Sequence, residues 1–200
     1  MRDMKLIEVF RDSYVFEEQT VLGKKQLTIV CHGTTENPNN TYAVVVNNNQ
    51  LGPAQLSQNI HNWVRDVNNL QRVRLAACMS ANPEHGAAAL NTSFASQLSA
   101  LLPNTYVRGY VREVTTTLEP NALNFFYQMG GCDIAQEGVA NLFRMMREDL
   151  TRHYHSIVFL NGMVVRQTIN GHDFQTLEDN GIAGSFDILK YSKIPTPRFP

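Results

Sequence analysis

The first half of the chain alternates short apolar runs with polar breaks, and this pattern predicts β-strands. The predicted strands cover residues 6–10, 14–21, 27–31, 42–46 and 72–78. The run at 27–31, Leu-Thr-Ile-Val-Cys, is almost wholly apolar, which is typical of a strand buried on both faces of a parallel sheet. This run ends at His32-Gly33, and the run at 72–78 ends at a more polar stretch that starts with Met79.

Two stretches with helical spacing alternate with these strands. After Gly52-Pro53, apolar residues fall on one face of a first predicted helix, namely Leu56, Ile60, Trp63, Val64 and Val67. A second helix is predicted over 88–102, and a long strand rich in β-branched residues over 105–117. This order of strands and helices predicts parallel strands joined by right-handed crossovers, and such sheets bind ligands beyond the carboxyl ends of their strands.

The last third of the chain predicts a helix over 134–150 and a final strand over 186–191. Between them, Asn161-Gly162 is a strong signal for a two-residue turn, so residues 157–169 are predicted to form a β-hairpin. Together these elements favour an α/β fold, in which helices flank a mostly parallel central sheet and a hairpin follows near the C-terminus.

The composition argues against several classes of protein. The 17 basic and 18 acidic residues give a net charge of −1, whereas general nucleic-acid or membrane-surface binders usually carry a basic excess. No run approaches the roughly 18 apolar residues of a membrane span, and the N-terminal residues lack the apolar stretch of a cleaved signal peptide. The three cysteines include no CxxC pair, so we expect neither a disulfide framework nor a zinc site, and we expect a reducing compartment.

His32 and Cys78 have the clearest chemical potential, because each follows a predicted central strand. If those strands are neighbours, the two side chains meet at one edge of the sheet. A thiolate is the nucleophile in thiol chemistry, and a nearby imidazole favours it. Gly33 lets the backbone approach closely, so its N–H and that of Cys78 are candidate donors to an oxyanion. The sequence therefore predicts a nucleophile at Cys78 and a general base at His32.

Each of these residues also has a simpler interpretation. Free cysteine is among the most buried residue types, so Cys78 could belong to the core, and His32 could be a histidine that ends a strand. The order of the two residues favours the functional interpretation. The histidine comes first, and 46 positions (78 − 32) separate it from the cysteine, while in caspases the histidine lies roughly 50 residues upstream.

Two segments, 29–35 (IVCHGTT) and 73–81 (VRLAACMSA), resemble the His-Gly and Cys motifs of the caspase-like, or clan CD, cysteine peptidases. The greatest similarity is to the self-cleaving cysteine protease domains of large bacterial toxins, the clostridial glucosylating and multifunctional RTX toxins. Those domains share a helix with an F-A-x-x-L-like stretch, which here is 94–98 (FASQL), and a following strand similar to 107–114 (VRGYVREV). The similarity covers residues 25–117 and depends on the order and spacing of short motifs.

The resemblance implies one caspase-like peptidase domain over residues 1–200, with N-terminal strands in 1–24, a catalytic core in 25–117 and a C-terminal helix and hairpin in 118–200. It implies hydrolysis of a protein or peptide substrate through a thioester, without a metal or organic cofactor. In the family, the strand after the second helix borders the pocket for the residue before the scissile bond. Arg108, Tyr110 and Arg112 are therefore candidates to line that pocket, and an arginine there favours an acidic substrate residue.

The chain also departs from these relatives. The caspase Q-A-C-x-G motif is absent, because residues 76–80 read A-A-C-M-S. In the toxin domains an acidic residue from a longer N-terminal lead orients the histidine, and here Asp12, Glu17 and Glu18 are the candidates. Those domains are switched on by inositol hexakisphosphate, which many lysines and arginines hold. The region after Thr117 is only sparsely basic, so it gives little support for that activator.

Two other functions remain open from the sequence. The chain could be a catalytically inert binding module with the same fold, or a thiol-dependent transferase or amidase. For the peptidase interpretation, the resemblance implies a bacterial toxin or effector protease that works in a reducing cytoplasm. It implies secretion into a host cell without a cleaved signal peptide, and no nucleic-acid partner or membrane span is expected.

Overall fold

The computed structural model describes residues 4–19, 23–34, 42–83, 90–111, 113–143 and 156–168. Within these residues, the chain forms two β-sheets and three α-helices, which is an α/β architecture. The strands are β1 (Met4–Val9), β2 (Tyr14–Gln19), β3 (Lys25–Val30), β4 (His32–Thr34), β5 (Ala43–Val46), β6 (Asn49–Leu51), β7 (Leu70–Ala76), β8 (Tyr106–Tyr110), β9 (Ser156–Leu160) and β10 (Met163–Thr168). The helices are α1 (Pro53–Trp63), α2 (Phe94–Leu101) and α3 (Pro120–Leu142).

The larger sheet has the strand order β1-β2-β3-β7-β8-β9-β10 in the described part of the chain. Its three central strands, β3, β7 and β8, are parallel, which confirms the predicted parallel core. The four outer pairings are antiparallel, so the sheet is mixed and the prediction of a mostly parallel sheet is wrong. Three of these pairings, β1–β2, β2–β3 and β9–β10, join strands that follow one another through short connections, which can only join antiparallel neighbours, whereas β8 and β9 pair across the long segment that contains α3.

Side chains alternate between the two faces of this sheet, and each face carries its own apolar cluster. On one face, α1 and α2 cover β3, β7 and β8, with Leu27, Leu75 and Val107 among the buried residues. On the other face, α3 packs over β1, β2 and the carboxyl ends of β3 and β7, where Phe16 and Ala76 are buried. Helices therefore cover both faces of the sheet at the carboxyl ends of β3 and β7.

Three predicted elements have different bounds. The strand predicted over 105–117 ends at Tyr110, and residues 113–115 have no regular structure. The helix predicted over 88–102 begins only at Phe94, after a 3₁₀ turn at Leu90–Thr92, because Ser93 caps it: Ser96 N–H donates to Ser93 Oγ at 3.3 Å. Residues 84–89 lie outside the described residues.

The third helix begins at Pro120, well before the predicted start at residue 134. Proline fits the first turn of a helix, which explains the start at Pro120. Gly131 has a non-helical φ of 76° and kinks α3 there, so the apolar period on which the prediction was based does not continue across it. The hairpin prediction is confirmed, since β9 and β10 pair through Asn161 and Gly162, both with positive φ. Residues 144–150 of the predicted helix and the predicted strand at 186–191 lie outside the described residues.

A second, small sheet was not predicted as such. It has the order β4-β5-β6 and starts at His32, which pairs with Val45. The turn between β5 and β6 places Asn47 and Asn48 at φ values of 53° and 60°, a conformation that asparagine tolerates better than most residues. None of the helices in the described residues combines the length and apolar character that crossing a membrane requires.

Candidate active site

His32 and Cys78 follow neighbouring parallel strands. The register of β3 and β7 pairs Val30 with Ala76, and each candidate residue lies two positions beyond its member of that pair. Cys31 N–H also donates to Ala76 O at 3.3 Å, so the main chains stay adjacent just past the strand ends. The two residues thus follow their strands at the same edge of the sheet, which is the condition that the predicted pair depends on. His32 is exposed and Cys78 is half-buried.

Gly33 brings the main chain after the histidine into contact with the main chain of Cys78. A Cβ at position 33 would lie 2.9 Å from the Cys78 carbonyl carbon, 3.2 Å from its nitrogen and closer still to its oxygen. No side chain fits there, because real Cβ atoms do not approach backbone so closely. Among the described residues, no main-chain carbonyl accepts a hydrogen bond from Cys78 N–H, so that group can donate to a ligand.

A tight turn over residues 78–81 carries the candidate nucleophile. Met79 adopts φ of 55°, an uncommon conformation for a residue with a side chain, directly after Cys78. The buried Ser80 hydroxyl donates to Ala77 O at 2.9 Å and accepts from Tyr110 N–H at 3.0 Å. These bonds fasten the turn to β8 and offset the cost of the strained residue.

Two further main-chain bonds hold the same turn from outside. Ala81 N–H donates to Tyr110 O at 2.9 Å, and Ala95 N–H at the start of α2 donates to Ser80 O at 2.9 Å. Gly109 permits this packing, since a Cβ there would lie 2.7 Å from the Cβ of Ala95. The sequence analysis missed the role of Ser80, although a small hydroxyl residue just after a strand is a usual signal for a turn.

The Cys78 thiol contacts the main chain of Val114. Val114 N–H donates to Cys78 Sγ at 3.4 Å, and Val114 O lies 3.9 Å from the same sulfur. Val114 belongs to the irregular segment 113–115 that leaves β8 early. Nothing in the sequence pattern indicated this contact, because the run was predicted to continue as a strand. Within the described residues, no hydrogen bond joins the His32 ring to Cys78 Sγ.

The three acidic candidates for orienting His32 are engaged elsewhere. The Asp12 carboxylate accepts from Asn47 N–H at 2.9 Å and from Asn48 N–H at 2.7 Å, so it holds the turn of the small sheet. Glu17 forms an ion pair with Lys25, and Glu18 accepts from the side chain of Gln26. Asp12 therefore affects the position of His32 only indirectly, because it holds the turn of the small sheet that begins at His32.

The other two cysteines have different environments. Cys31 is buried in the larger apolar cluster, as predicted, and burial raises the pKa of its thiol, with the negative charge of Asp12 and the nearby Cys78 adding to the effect. Cys132 is exposed on α3 beside the kink at Gly131. The three thiols thus differ in exposure: Cys31 is buried, Cys132 is exposed, and Cys78 at the sheet edge is half-buried. The described residues contain no group of three or more His, Cys, Asp or Glu side chains that could hold a metal ion.

The three residues predicted to line a substrate pocket are placed differently. Of the two that the structure describes, Tyr110 lies nearer to the thiol, since its main chain bonds to the turn that carries Cys78. Arg108 pairs with Arg74 on β7, and Arg74 precedes Cys78 by four residues. At about 3.3 Å per residue, Arg108 therefore lies about 13 Å from the level of Cys78, measured along the strand direction. Arg112 lies outside the described residues.

Arg108 belongs to an arginine cluster on one face of the sheet, formed by Arg72, Arg74, Arg108 and Arg166. Burial lowers the pKa of Arg108; Tyr110 opposes this, and the charges of Arg74 and Arg166 add to it. The Nε atoms of Arg72 and Arg108 are buried without a hydrogen-bond partner, and neither residue forms an ion pair with a described carboxylate. Periodicity did not predict that these four arginines lie together, because they come from three separate strands.

Comparison with known proteins identifies no relative of this chain. No protein-family model matches the chain, and neither the curated proteins nor the solved structures include a significant match.

Proposed function

We propose that this protein is a cysteine peptidase with a caspase-like fold, in which Cys78 is the nucleophile and His32 the general base. One observation carries the proposal. The two residues leave neighbouring parallel strands in register, and the main chain of Gly33 contacts that of Cys78. A thiol and an imidazole that follow neighbouring strands at one sheet edge, beside a glycine that lets the two main chains touch, suit acyl transfer.

In the proposed reaction, His32 takes the proton of the Cys78 thiol and the sulfur attacks the carbonyl carbon of a peptide bond. The carbonyl oxygen becomes an oxyanion, which the N–H groups of Gly33 and Cys78 stabilise. The C–N bond breaks, and the leaving amine takes its proton from His32. Water, deprotonated by His32, then cleaves the thioester and restores the thiol.

The missing hydrogen bond between His32 and Cys78 is compatible with this scheme. Catalytic hydrogen bonds are often long without substrate and tighten when it binds. His32 is the first residue of β4, in a small sheet distinct from the one that carries Cys78. The proposed reaction requires a shift of that edge, or a side-chain rotation of the exposed imidazole, that brings the ring to the thiol.

For specificity, we propose that Tyr110 borders the site for the residue before the scissile bond, with Arg108 and Arg112 as further candidates. An arginine at this site would favour an acidic substrate side chain, because arginine binds carboxylates through two parallel hydrogen bonds. We also propose that this chain is related to the self-cleaving protease domains of large bacterial toxins, which its motifs resemble. It suggests a bacterial toxin or effector protease that acts on host proteins in a reducing cytoplasm.

The test compares wild type with Cys78→Ala and His32→Ala in a host-cell lysate, with new protein N-termini read by mass spectrometry. Cys132→Ala is the matched control, since it removes an exposed thiol that has no part in the proposed reaction. We expect the same new N-termini from wild type and the control, and none from the other two variants. Termini made equally by all four proteins would end the catalytic proposal.

Alkylation separates a peptidase from an inert module. At neutral pH, iodoacetamide should modify Cys78 faster than the exposed Cys132 of the same molecule, and His32→Ala should reduce that difference. Equal, slow labelling of both thiols would instead support a binding module. Stable acyl adducts without cleavage would indicate a thiol-dependent transferase.

A further inference from the structure

The Cys78 sulfur is held by a group that the proposed mechanism does not use. Its two polar contacts within the described residues are both to the main chain of Val114, with N–H to Sγ at 3.4 Å and Sγ to O at 3.9 Å. The first is a normal length for a bond to sulfur. The second is at the outer limit for a weak S–H donor and contributes little.

An N–H donor aimed at sulfur favours the thiolate over the thiol. Hydrogen bonds to a charged partner are roughly twice as strong as those between neutral groups, so this bond strengthens when the thiol loses its proton. The 3.9 Å contact to the carbonyl opposes ionisation only weakly, because of its length. The closer of the two contacts is therefore the one that can stabilise negative charge on the sulfur.

The segment that carries Val114 is fixed at both ends, so the donor has a defined position. Before it, Tyr110 is bonded through N–H and C=O to the turn of Cys78 itself. After it, the buried Thr116 hydroxyl donates to Leu118 O at 3.0 Å, and the buried Tyr14 hydroxyl donates to the same oxygen at 2.8 Å. A donor that is fixed before the reaction costs no reorganisation when charge develops.

We propose that the main-chain N–H of Val114 is a positioning group that stabilises and orients the Cys78 thiolate, in addition to His32. The inference rests on the proposed function for its purpose. It does not need peptide cleavage for its test, because a small alkylating reagent reports on the thiolate directly.

The experiment replaces the residue-114 amide by an ester, through incorporation of the α-hydroxy acid of valine, which deletes the N–H and keeps the side chain. Val114→Ala is the matched control, because it keeps the N–H and changes the side chain. The rate of iodoacetamide labelling of Cys78 is measured against pH in each protein, with Cys132 as the internal reference. The proposal predicts that the ester lowers the labelling rate of Cys78 at neutral pH about tenfold and moves the midpoint of its pH profile upward, as expected for loss of a hydrogen bond of about 1.5 kcal/mol to a charged group.

An unchanged or lowered midpoint in the ester, or an equal shift in Val114→Ala, would overturn the proposal. A faster reaction of the ester would show instead that Val114 restrains the thiol. A second measurement serves if the ester does not fold. In the wild-type protein, the amide signal of Val114 followed by NMR must shift with the same midpoint as Cys78 labelling, and a signal that stays constant contradicts the inference. Failure of cleavage with a normal Val114 result would count against the peptidase proposal alone.

Discussion

His32 and Cys78 occupy equivalent positions on neighbouring strands, but their surroundings differ. The turn of Cys78 is fastened to β8 and α2 by Ser80 and by main-chain bonds, and Val114 holds the sulfur. His32 is exposed and opens a small sheet whose far turn is held by Asp12. The turn that carries Cys78 is thus hydrogen-bonded to the core, while His32 has fewer contacts with the core.

This difference has a physical consequence. A change on the cysteine side disturbs buried hydrogen bonds, so it should alter both stability and thiol reactivity. A substitution near His32 affects an exposed region and the small sheet, so it should alter thiol reactivity with less loss of stability. The following variants test that contrast, from the largest expected effect to the smallest.

Gly33→Ala should have the largest effect, because position 33 is where the two sides touch. Its Cβ would lie 2.9 Å from the Cys78 carbonyl carbon, so the two main chains must separate. We expect a loss of about 3 kcal/mol in the free energy of unfolding, measured by urea denaturation, and loss of selective Cys78 labelling. Gly138→Ala is the control, since its Cβ would meet only Phe126 at 3.9 Å. A Gly33→Ala protein as stable and reactive as wild type would refute the contact.

Ser80→Ala should lower the free energy of unfolding by about 2 kcal/mol, because it leaves the buried Tyr110 N–H without its acceptor. It should also change the rate at which Cys78 reacts with iodoacetamide. Ser99→Ala is matched, since Ser99 is also buried and its hydroxyl accepts from Gly162 N–H at 2.8 Å, away from the site. If both variants lose stability but neither changes Cys78 labelling, Ser80 supports the fold and does not position the nucleophile.

Asp12→Ala removes the acceptor of two N–H groups in the turn of the small sheet. We expect a smaller loss of about 1 kcal/mol, with reduced cleavage because the sheet that carries His32 loosens. Asp66→Ala serves as control, because Asp66 is exposed and its side chain caps no helix. Unchanged cleavage in Asp12→Ala would mean that the turn does not influence His32.

Arg108→Met should leave stability unchanged or raise it by up to about 1 kcal/mol, because a half-buried arginine among like charges is replaced by an apolar chain of similar length. If the arginine cluster binds acidic substrate residues, the same variant should lower cleavage of acidic peptides and spare neutral ones. Arg65→Met is the exposed control. A clear loss of stability in thermal denaturation would show that Arg108 has a structural partner.

Local pattern was enough to predict some parts of this protein. The apolar run before His32 predicted a buried parallel strand, and β3 is that strand. Asn161-Gly162 predicted a hairpin that the structure contains, because few residues other than glycine and asparagine tolerate that turn. The positions of His32 and Cys78 at strand ends were likewise visible, since each strand stops where its apolar period stops.

Other features depended on contacts between segments far apart in the chain. The pattern did not specify that β3 and β7 are neighbours, that β8 ends at Tyr110, or that Val114 reaches the Cys78 sulfur. Nor did it reveal that arginines from β7, β8 and β10 share one face. Periodicity reports which side of a strand is buried, whereas register and neighbours follow from how all the segments pack together. The sequence by itself therefore determined which residues could do chemistry, and the tertiary structure decided which of them lie together.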